Sequence, residues 1–450
     1  RELPDGEYCY EAYLEGGRDR FEPLLIRARV TIAGDSVVVD LTGSAPQTKG
    51  PTNVGPAMAP TGAFTILKAF LDPGGEINSG AFRPLTLIAP EGSVVNARLP
   101  AACGGMVEVK YCVESAVMGA LAQAIQGKVT GDLKGGGNHC YVGGTDPRTG
   151  APLIFYEYPA GGTGAFEGGD GNNAVRTFTE SDITTLQPVE SVEQKYPLRV
   201  ERTELRVDSG GDGRWRGGLG LRREVRLLAP EGQLSVLAEK NLLPPYGVCA
   251  GRSGAPNRFF VIRDAQEIEP SPLPGKVSGF PLRSGDLVVM ESSGGGGYGD
   301  PPERDPARVA RDVAEGLISL TKAESIYGVL LRNGAVDEAE TQRRRAELGL
   351  ARPTLRLHCQ DGLEYKEGRR ICRLSQASAR RLGLSEGDIV ELVSRRGAPL
   401  RAWLEVDAAE RDAGYLSEDG LAILGVSEGE SVEVRPILRP SVRSLSIKEA

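Results

Sequence analysis

The sequence predicts an α+β protein: a β-rich, many-stranded core with a central buried helix and glycine-rich loops, followed by a small β-barrel-like C-terminal domain. Three observations carry this prediction. The 450 residues include 60 glycines and 30 prolines, with 40% hydrophobic residues, a globular composition rich in turns between short strands. Residues 106–126 have helical periodicity with apolar positions nearly all round in the second half, the pattern of a helix buried on every side. Finally, Leu384-Ser385-Glu386-Gly387-Asp388 and Val426-Ser427-Glu428-Gly429-Glu430 form a pseudo-repeat, each copy preceding an alternating Val/Glu strand. That repeat suggests a two-lobed barrel.

In chain order, residues 7–40 read as strands, the clearest being 24–32 and 37–41 on either side of a Gly34-Asp35 turn. A polar loop (42–47), a helix (59–71) and a Leu/Ile-rich strand between residues 80 and 90 follow. After the helix over 106–126, residues 131–171 hold repeated glycine pairs and triplets with one strand, 153–158, among them. Loops so rich in glycine inside a compact protein are functional or interfacial more often than filler. Residues 195–290 look all-β, with strands at 198–207, 220–228, 233–239, 259–263 and 286–291, and suggest a sandwich or barrel. Three units result: 1–195, 196–348, and a barrel-like unit over 354–438 beyond a linker at 349–353.

Gly294 to Gly297 run into Tyr298-Gly299-Asp300-Pro301, where a helix is expected to begin and to continue to about Arg332, before a second helix over 337–348. A glycine loop feeding a helix N-terminus invites comparison with a phosphate cradle. The spacing excludes the usual forms, because no Gly-Lys-Ser/Thr and no GxGxxG-plus-acid pattern is present. A tight turn packed under another segment is expected instead. The Asp208-Ser209-Gly210-Gly211-Asp212-Gly213 stretch lacks the terminal Glu of a calcium loop and reads as a turn.

Net charge is −8, which speaks against a nucleic-acid surface. There is no apolar run long enough to span a bilayer, so no membrane role is predicted and a cytoplasmic location is expected. Seven scattered cysteines with no CxxC pair fit reduced thiols. The chain starts at Arg1 in what looks like a turn entering a strand, the expected appearance of a piece of a longer polypeptide.

Only two histidines occur, His139 and His358, so a histidine-rich metal site in this chain is not predicted. His139, between glycine loops, reads either as a hydrogen-bonded loop histidine or as a catalytic acid-base group. Glu167, Asp170 and Asn172, in Glu167-Gly168-Gly169-Asp170-Gly171-Asn172-Asn173, either orient a polar cyclic substrate or cap a turn. Cys103, just before the buried helix, reads as a favoured thiolate or as small-residue packing.

Asp40-Leu41-Thr42-Gly43-Ser44, Ala89-Pro90-Glu91-Gly92-Ser93, Tyr196-Pro197-Leu198-Arg199-Val200-Glu201-Arg202, Asp208-Ser209-Gly210-Gly211 with Arg216-Gly217-Gly218-Leu219-Gly220, and Gly294 to Asp300 with Asp312-Val313 occur in that order. In these motifs, spread over residues 1–335, the chain resembles the B-type component of N-methylhydantoinase. That family includes the C-terminal half of ATP-dependent 5-oxoprolinase and subunits of acetone and acetophenone carboxylases. The resemblance implies a hetero-oligomer in which a hydantoinase-A-like partner subunit binds ATP and Mg and phosphorylates an amide or carbonyl oxygen. The B-type chain would complete hydrolysis of a small cyclic amide, a hydantoin, 5-oxoproline or lactam, and is not expected to be active alone. A ketone carboxylase subunit, or a non-catalytic scaffold half, is the alternative. The resemblance also implies that the family's His/Asp ligands for a divalent metal, Zn or Mn, lie on an N-terminal B-type chain or fragment or another partner. Residues 354–438 lie outside this likeness and look similar to a double-psi barrel.

Overall fold

The computed structural model describes residues 3–17, 21–125, 127–177, 179, 186–408 and 412–437. Its first sheet is an antiparallel meander, β1 (Gly6–Gly16), β2 (Glu22–Ala33) and β3 (Ser36–Asp40). A crossover through α1 (Met58–Leu71) then adds β4 (Leu85–Ile88) parallel to β3. Helix α2 (Met106–Ala124) packs on this sheet, and every residue from Glu108 to Ala122 is buried. Gly119 faces the Tyr10 ring, where a Cβ would lie 2.2 Å from a ring carbon. The all-round apolar pattern thus corresponds to a helix enclosed on all sides.

The hairpin β5 (His139–Thr145) and β6 (Pro152–Glu157) comes next, then α3 (Val189–Lys195), β7 (Leu198–Leu205), β8 (Leu221–Leu227) and β9 (Glu231–Leu237). The run continues with β10 (Arg258–Arg263), β11 (Gln266–Ile268), β12 (Lys276–Arg283) and β13 (Leu287–Glu291). They form two sheets, ordered β12-β9-β5-β6 and β11-β10-β13-β8-β7. Val142, Phe155 and Leu234 from the first join Val225, Phe259 and Met290 from the second in one apolar cluster. The expected sandwich is present, and it recruits β5 and β6 from the glycine-rich region. His139, expected in a loop, instead opens β5. Its strand alternates buried Cys140 and Val142 with outward His139 and Tyr141, but Gly143-Gly144 cut that alternation short in the sequence. Strand β12 was hidden for a similar reason: Gly279 and Pro281 interrupt it, and its register shifts between Val277 and Phe280.

The single helix expected from Pro301 to Arg332 is replaced by a 3-10 turn over Pro301–Glu303, α4 (Pro306–Ala314) and α5 (Leu320–Ser325). Two caps impose the breaks: the Asp305 carboxylate accepts from the Ala307 amide, and the Ser319 hydroxyl from that of Lys322. Gly316, with φ +69°, turns the chain between them. A short ribbon, β14 (Leu331–Arg332) and β15 (Ala335–Val336), leads to α6 (Glu338–Leu350), close to its expected place.

The glycine run 294–297 is neither a phosphate loop nor a simple turn. Its amides donate in succession to the carbonyls of Ala255 (3.2 Å), Gly218 (3.0 Å), Asp132 (2.9 Å) and Arg252 (2.9 Å). A β-strand would send alternate amides to two neighbours. Here three neighbouring segments are visited in turn and the first returns at the fourth residue, the three-residue period of a polyproline-II-type helix. Residues 131–132, 162–165, 210–218 and 251–255 surround the run.

The C-terminal residues form β16 (Thr354–Cys359), β17 (Tyr365–Lys366), β18 (Arg369–Ser375), α7 (Gln376–Leu382), β19 (Ile389–Val393), β20 (Leu400–Asp407), β21 (Gly414–Leu416), α8 (Glu418–Leu424) and β22 (Ser431–Pro436). The order β18-β20-β19-β22-β16-β21 closes on itself through a β18–β21 pairing, giving a closed barrel as expected. The pseudo-repeat is structural: Ser375 and Ser417 cap α7 and α8, and Gly383 and Gly425 end them in the left-handed region. The barrel docks on the N-terminal sheet and the glycine bundle. Tyr10 Oη donates to the Pro399 carbonyl (2.7 Å), the Cys249 amide to that of Gly397 (2.8 Å), and Arg435 Nη1 to that of Gly251 (2.8 Å).

Candidate active site

The outward face of β5–β6 meets the first turn of α2 at His139. Asn138, held at φ 55°, turns the chain into β5. Gly137 leaves room for the imidazole, since a Cβ there would sit 2.3 Å from His139 Nε2. Glu108, 1% exposed, projects from α2. Its Oε1 accepts from the Gly137 amide (3.1 Å) and lies 3.4 Å from His139 Nε2. On the other side of the ring, Nδ1 is 2.7 Å from the Tyr156 hydroxyl. Tyr141, Tyr156 and Tyr158 stack around the imidazole at centroid distances of 6.4, 5.9 and 5.3 Å. Lys134 and Arg176 lie over the Tyr158 ring at 4.6 and 3.7 Å. One turn along α2, Lys110 pairs with Glu114 (2.8 Å), whose Oε2 accepts from Thr179 Oγ1 (2.9 Å).

Burial sets the protonation states here. It lowers His139 to about 4, with Lys134 and Arg176 adding to the effect, so the imidazole is neutral at pH 7, with a lone pair on one nitrogen but a weakened affinity for a proton. Burial also raises the Glu108 carboxyl, against the opposing pull of Lys276. Glu114 is raised to about 7 by the same cause, with Lys110 opposing. The Tyr156 phenol is raised by burial and by neighbouring Tyr141. A neutral imidazole between a buried carboxyl and a phenol is an acid-base arrangement.

The other sequence candidates have different neighbours. Asp170 accepts from Arg304 through both oxygens (2.7 and 2.8 Å) and from the Arg216 amide (2.6 Å), and Arg304 also reaches Asp312 (2.8 Å). Burial alone would raise the Asp170 carboxyl, but these contacts outweigh it and leave the group below the usual range. Glu167 is exposed, 3.7 Å from Arg214. Asn172 is exposed and exchanges backbone contacts with Thr163: its amide donates to the hydroxyl (2.8 Å) and its carbonyl accepts from the amide (3.1 Å). His139 therefore sits with Glu108 and Tyr156, while Glu167 and Asp170 sit with arginines and Asn172 sits against Thr163 in the glycine segments. His358 lies in the barrel, 3.5 Å from Glu428.

Asp170→Asn is expected to cost about 2 kcal/mol, less than the roughly 3–5 kcal/mol of a fully buried broken pair, because Asp312 keeps Arg304 partnered. A depressed carboxyl stabilises above its unfolded pKa, and that stabilisation is lost as pH falls through the folded value. The variant should therefore flatten the acid limb of stability against pH in thermal melts, and an unchanged limb would count against this assignment.

Sequence reasoning missed Glu108, Lys134, Tyr156 and Arg176. One signal was present: Glu108, Lys110 and Glu114 are charges on a helix otherwise patterned for complete burial, and buried charge calls for partners.

Solved structures share this fold over most of the chain. The chain superposes on the ATP-dependent caprolactamase from Pseudomonas jessenii with a TM-score of 0.67 and 27% identity, over 77% of this chain and 61% of that one. It superposes on a nucleotide-free acetone carboxylase structure with a TM-score of 0.68 and 21% identity, over 77% of this chain and 53% of that one. The latter likeness is one of fold. The chain belongs to the hydantoinase B/oxoprolinase family, whose model matches residues 1–301. A protein of Pseudomonas sp. strain NS671, assigned as the B-type component of a D-/L-hydantoinase, is 34% identical over 357 residues, 77% of this chain and 59% of that protein. The chain thus spans little more than half the length of such relatives. No described helix is long and apolar enough to cross a membrane.

Proposed function

We propose that this chain serves as the B-type component of an ATP-dependent cyclic-amide hydrolase acting on a hydantoin, 5-oxoproline or lactam. The supporting observation is family membership across residues 1–301 together with the likeness to a caprolactamase. ATP and Mg would be bound by an A-type partner subunit, which activates the amide oxygen by phosphorylation. The B-type chain then directs water to the activated carbon, with His139 as the base. Glu167, Asp170 and Asn172 enter the same proposal in a lesser part, as groups that orient a polar cyclic substrate. A divalent metal, Zn or Mn, would belong to an N-terminal B-type segment or partner chain. Among the described residues no group of three His, Cys, Asp or Glu could hold one.

The test is to co-express the chain with an A-type subunit and an N-terminal B-type segment, and follow ATP-dependent ring opening of hydantoin, 5-oxoproline and caprolactam. Turnover without bicarbonate is expected. The acetone carboxylase fold makes the ketone carboxylase the second reading, and a strict bicarbonate requirement with acetone as substrate would establish it instead. His139→Gln should lower kcat about 10²–10⁴-fold, the usual contribution of a positioned acid-base group.

A further inference from the structure

We infer that Tyr156, with Glu108 behind the imidazole, completes a three-member proton relay in which the Tyr156 hydroxyl, and not the His139 ring itself, is the group that touches the substrate. The inference rests on the reading of the chain as a cyclic-amide hydrolase component.

Glu108 and Tyr156 occupy the two ring nitrogens of His139. With Glu108 ionised, its Oε1, 3.4 Å from Nε2, can only accept, which favours the hydrogen on Nε2. Nδ1 is then the lone-pair nitrogen, and the Tyr156 hydroxyl 2.7 Å away donates to it. The Gly137 amide, donating to the same Oε1 at 3.1 Å, fixes the carboxylate in place. Glu108 Oε2, although buried, has no hydrogen-bond partner among the described residues. The exposures rank in the order of the relay. The Glu108 residue is 1% exposed and the His139 side chain 15%, whereas Tyr156 is 39% exposed beside the equally exposed Tyr141, whose ring is stacked 4.7 Å from it. A substrate approaching this face meets the phenol first.

The transfer balances. An attacking water gives a proton to the Tyr156 oxygen as the phenol's own proton passes to Nδ1, and the hydroxide adds to the activated carbonyl carbon. The imidazolium is held by Glu108. When the C–N bond of the ring breaks, the Nδ1 proton returns to the Tyr156 oxygen and the phenol proton goes to the departing ring nitrogen, while the new hydroxyl becomes C=O and passes its proton to the phosphoryl oxygens, leaving an acyl phosphate that a second water hydrolyses to carboxylate and phosphate. No proton is gained or lost by the relay, and its members are restored. The charged and titratable groups around it are Glu108 and Lys110 from α2, Tyr141 from β5, Tyr158 from β6, Lys276 from β12, and Lys134 and Arg176 from the flanking segments.

The chain's two histidines make the relay directly observable. In protein carrying 15N-labelled imidazoles, with His358→Gln removing the second signal, His139 should show the Nε2–H tautomer at pH 7. Tyr156→Phe should keep that tautomer and shift the Nδ1 resonance as its hydrogen bond is lost. Glu108→Gln should mix the tautomers. In the assembled ATP-dependent complex, Tyr156→Phe should lower kcat about 100-fold or more with little change in KM. The Tyr156→Phe/His139→Gln double variant should lose no more than the worse single one, because members of one unit are not additive. An Nδ1–H tautomer in an active complex, or a Tyr156→Phe enzyme with wild-type kcat, overturns the relay alone. A complex that opens no cyclic amide overturns the functional reading and the transfer step with it.

Discussion

Gly296→Ala should prevent the chain from folding stably, and do so without any specific effect on chemistry. The added Cβ would sit 1.7 Å from the Tyr246 carbonyl oxygen, 2.5 Å from its carbon and 2.9 Å from the Asp132 amide nitrogen. All three are backbone atoms held by hydrogen bonds to other segments, so no side chain can swing aside. The cause is space and not conformation, since none of residues 294–297 has a positive φ. Overpacking a side-chain core typically costs about 1–3 kcal/mol. A clash against fixed backbone should exceed about 4 kcal/mol, a fall in Tm of at least roughly 4 °C for a chain of this length. Gly349→Ala is the control: nothing lies within 4 Å of its Cβ position in α6, and the change should be neutral or stabilise by up to about 1 kcal/mol. A Gly296→Ala protein with wild-type melting and a tenfold lower kcat in the assembled complex would instead place the run in the reaction path.

The second large effect is expected where the barrel meets β1. Glu11, 4% exposed, pairs with Arg370, 0% exposed by side chain. Arg370 also donates to Ser417 (2.7 Å) and Asp419 (3.1 Å), and Tyr365 donates to Glu11. Arg370→Leu would leave the Glu11 carboxylate buried without its cation, at a cost of about 3–5 kcal/mol. Removing both charges in a Glu11→Leu/Arg370→Leu variant should recover most of that loss, because the unpaired charge and not the missing bridge is what destabilises. Urea unfolding should show one transition at a lower midpoint for the single variant. One apolar cluster runs from Tyr10 and Val113 to Leu355 and Cys372, so barrel and sheet should unfold together. A separate early transition for the barrel would contradict this.

Much of the fold was legible because its signals are local. The alternation in 24–32 and 37–41, the helical period of 106–126 and the Ser-Glu-Gly repeat each report a geometry fixed by neighbours in sequence. The errors fall where a breaker sits inside an element or where a cap is read as continuation. Gly143-Gly144 concealed β5, Pro281 concealed β12, and Asp305 and Ser319 cut an expected helix into pieces. The site was less legible. His139 stood out by rarity, but its partners lie 31 residues before it and 17 after it in the chain: the pairing of β5 with β6 brings Tyr156 alongside, and the packing of α2 brings Glu108. The spacing of the glycine run matches no phosphate loop, and its amides donate to backbone carbonyls, yet its arrangement could not be read, because hydrogen bonds to three distant segments leave no periodicity in the run itself.

That bundle also has a consequence for the order in which the protein folds. Its segments, near residues 131, 163, 215, 253 and 295, are separated by long stretches of chain, and the amides of the run find their partners on three of the others. Closing so many loops costs entropy before any hydrogen bond repays it. A glycine run with no side chains has no apolar surface with which to collapse early. The bundle is therefore expected to assemble last, after the sandwich and the helix-backed sheet have brought its five strands of backbone to the same place, so that its hydrogen bonds form only once the rest of the chain has folded correctly.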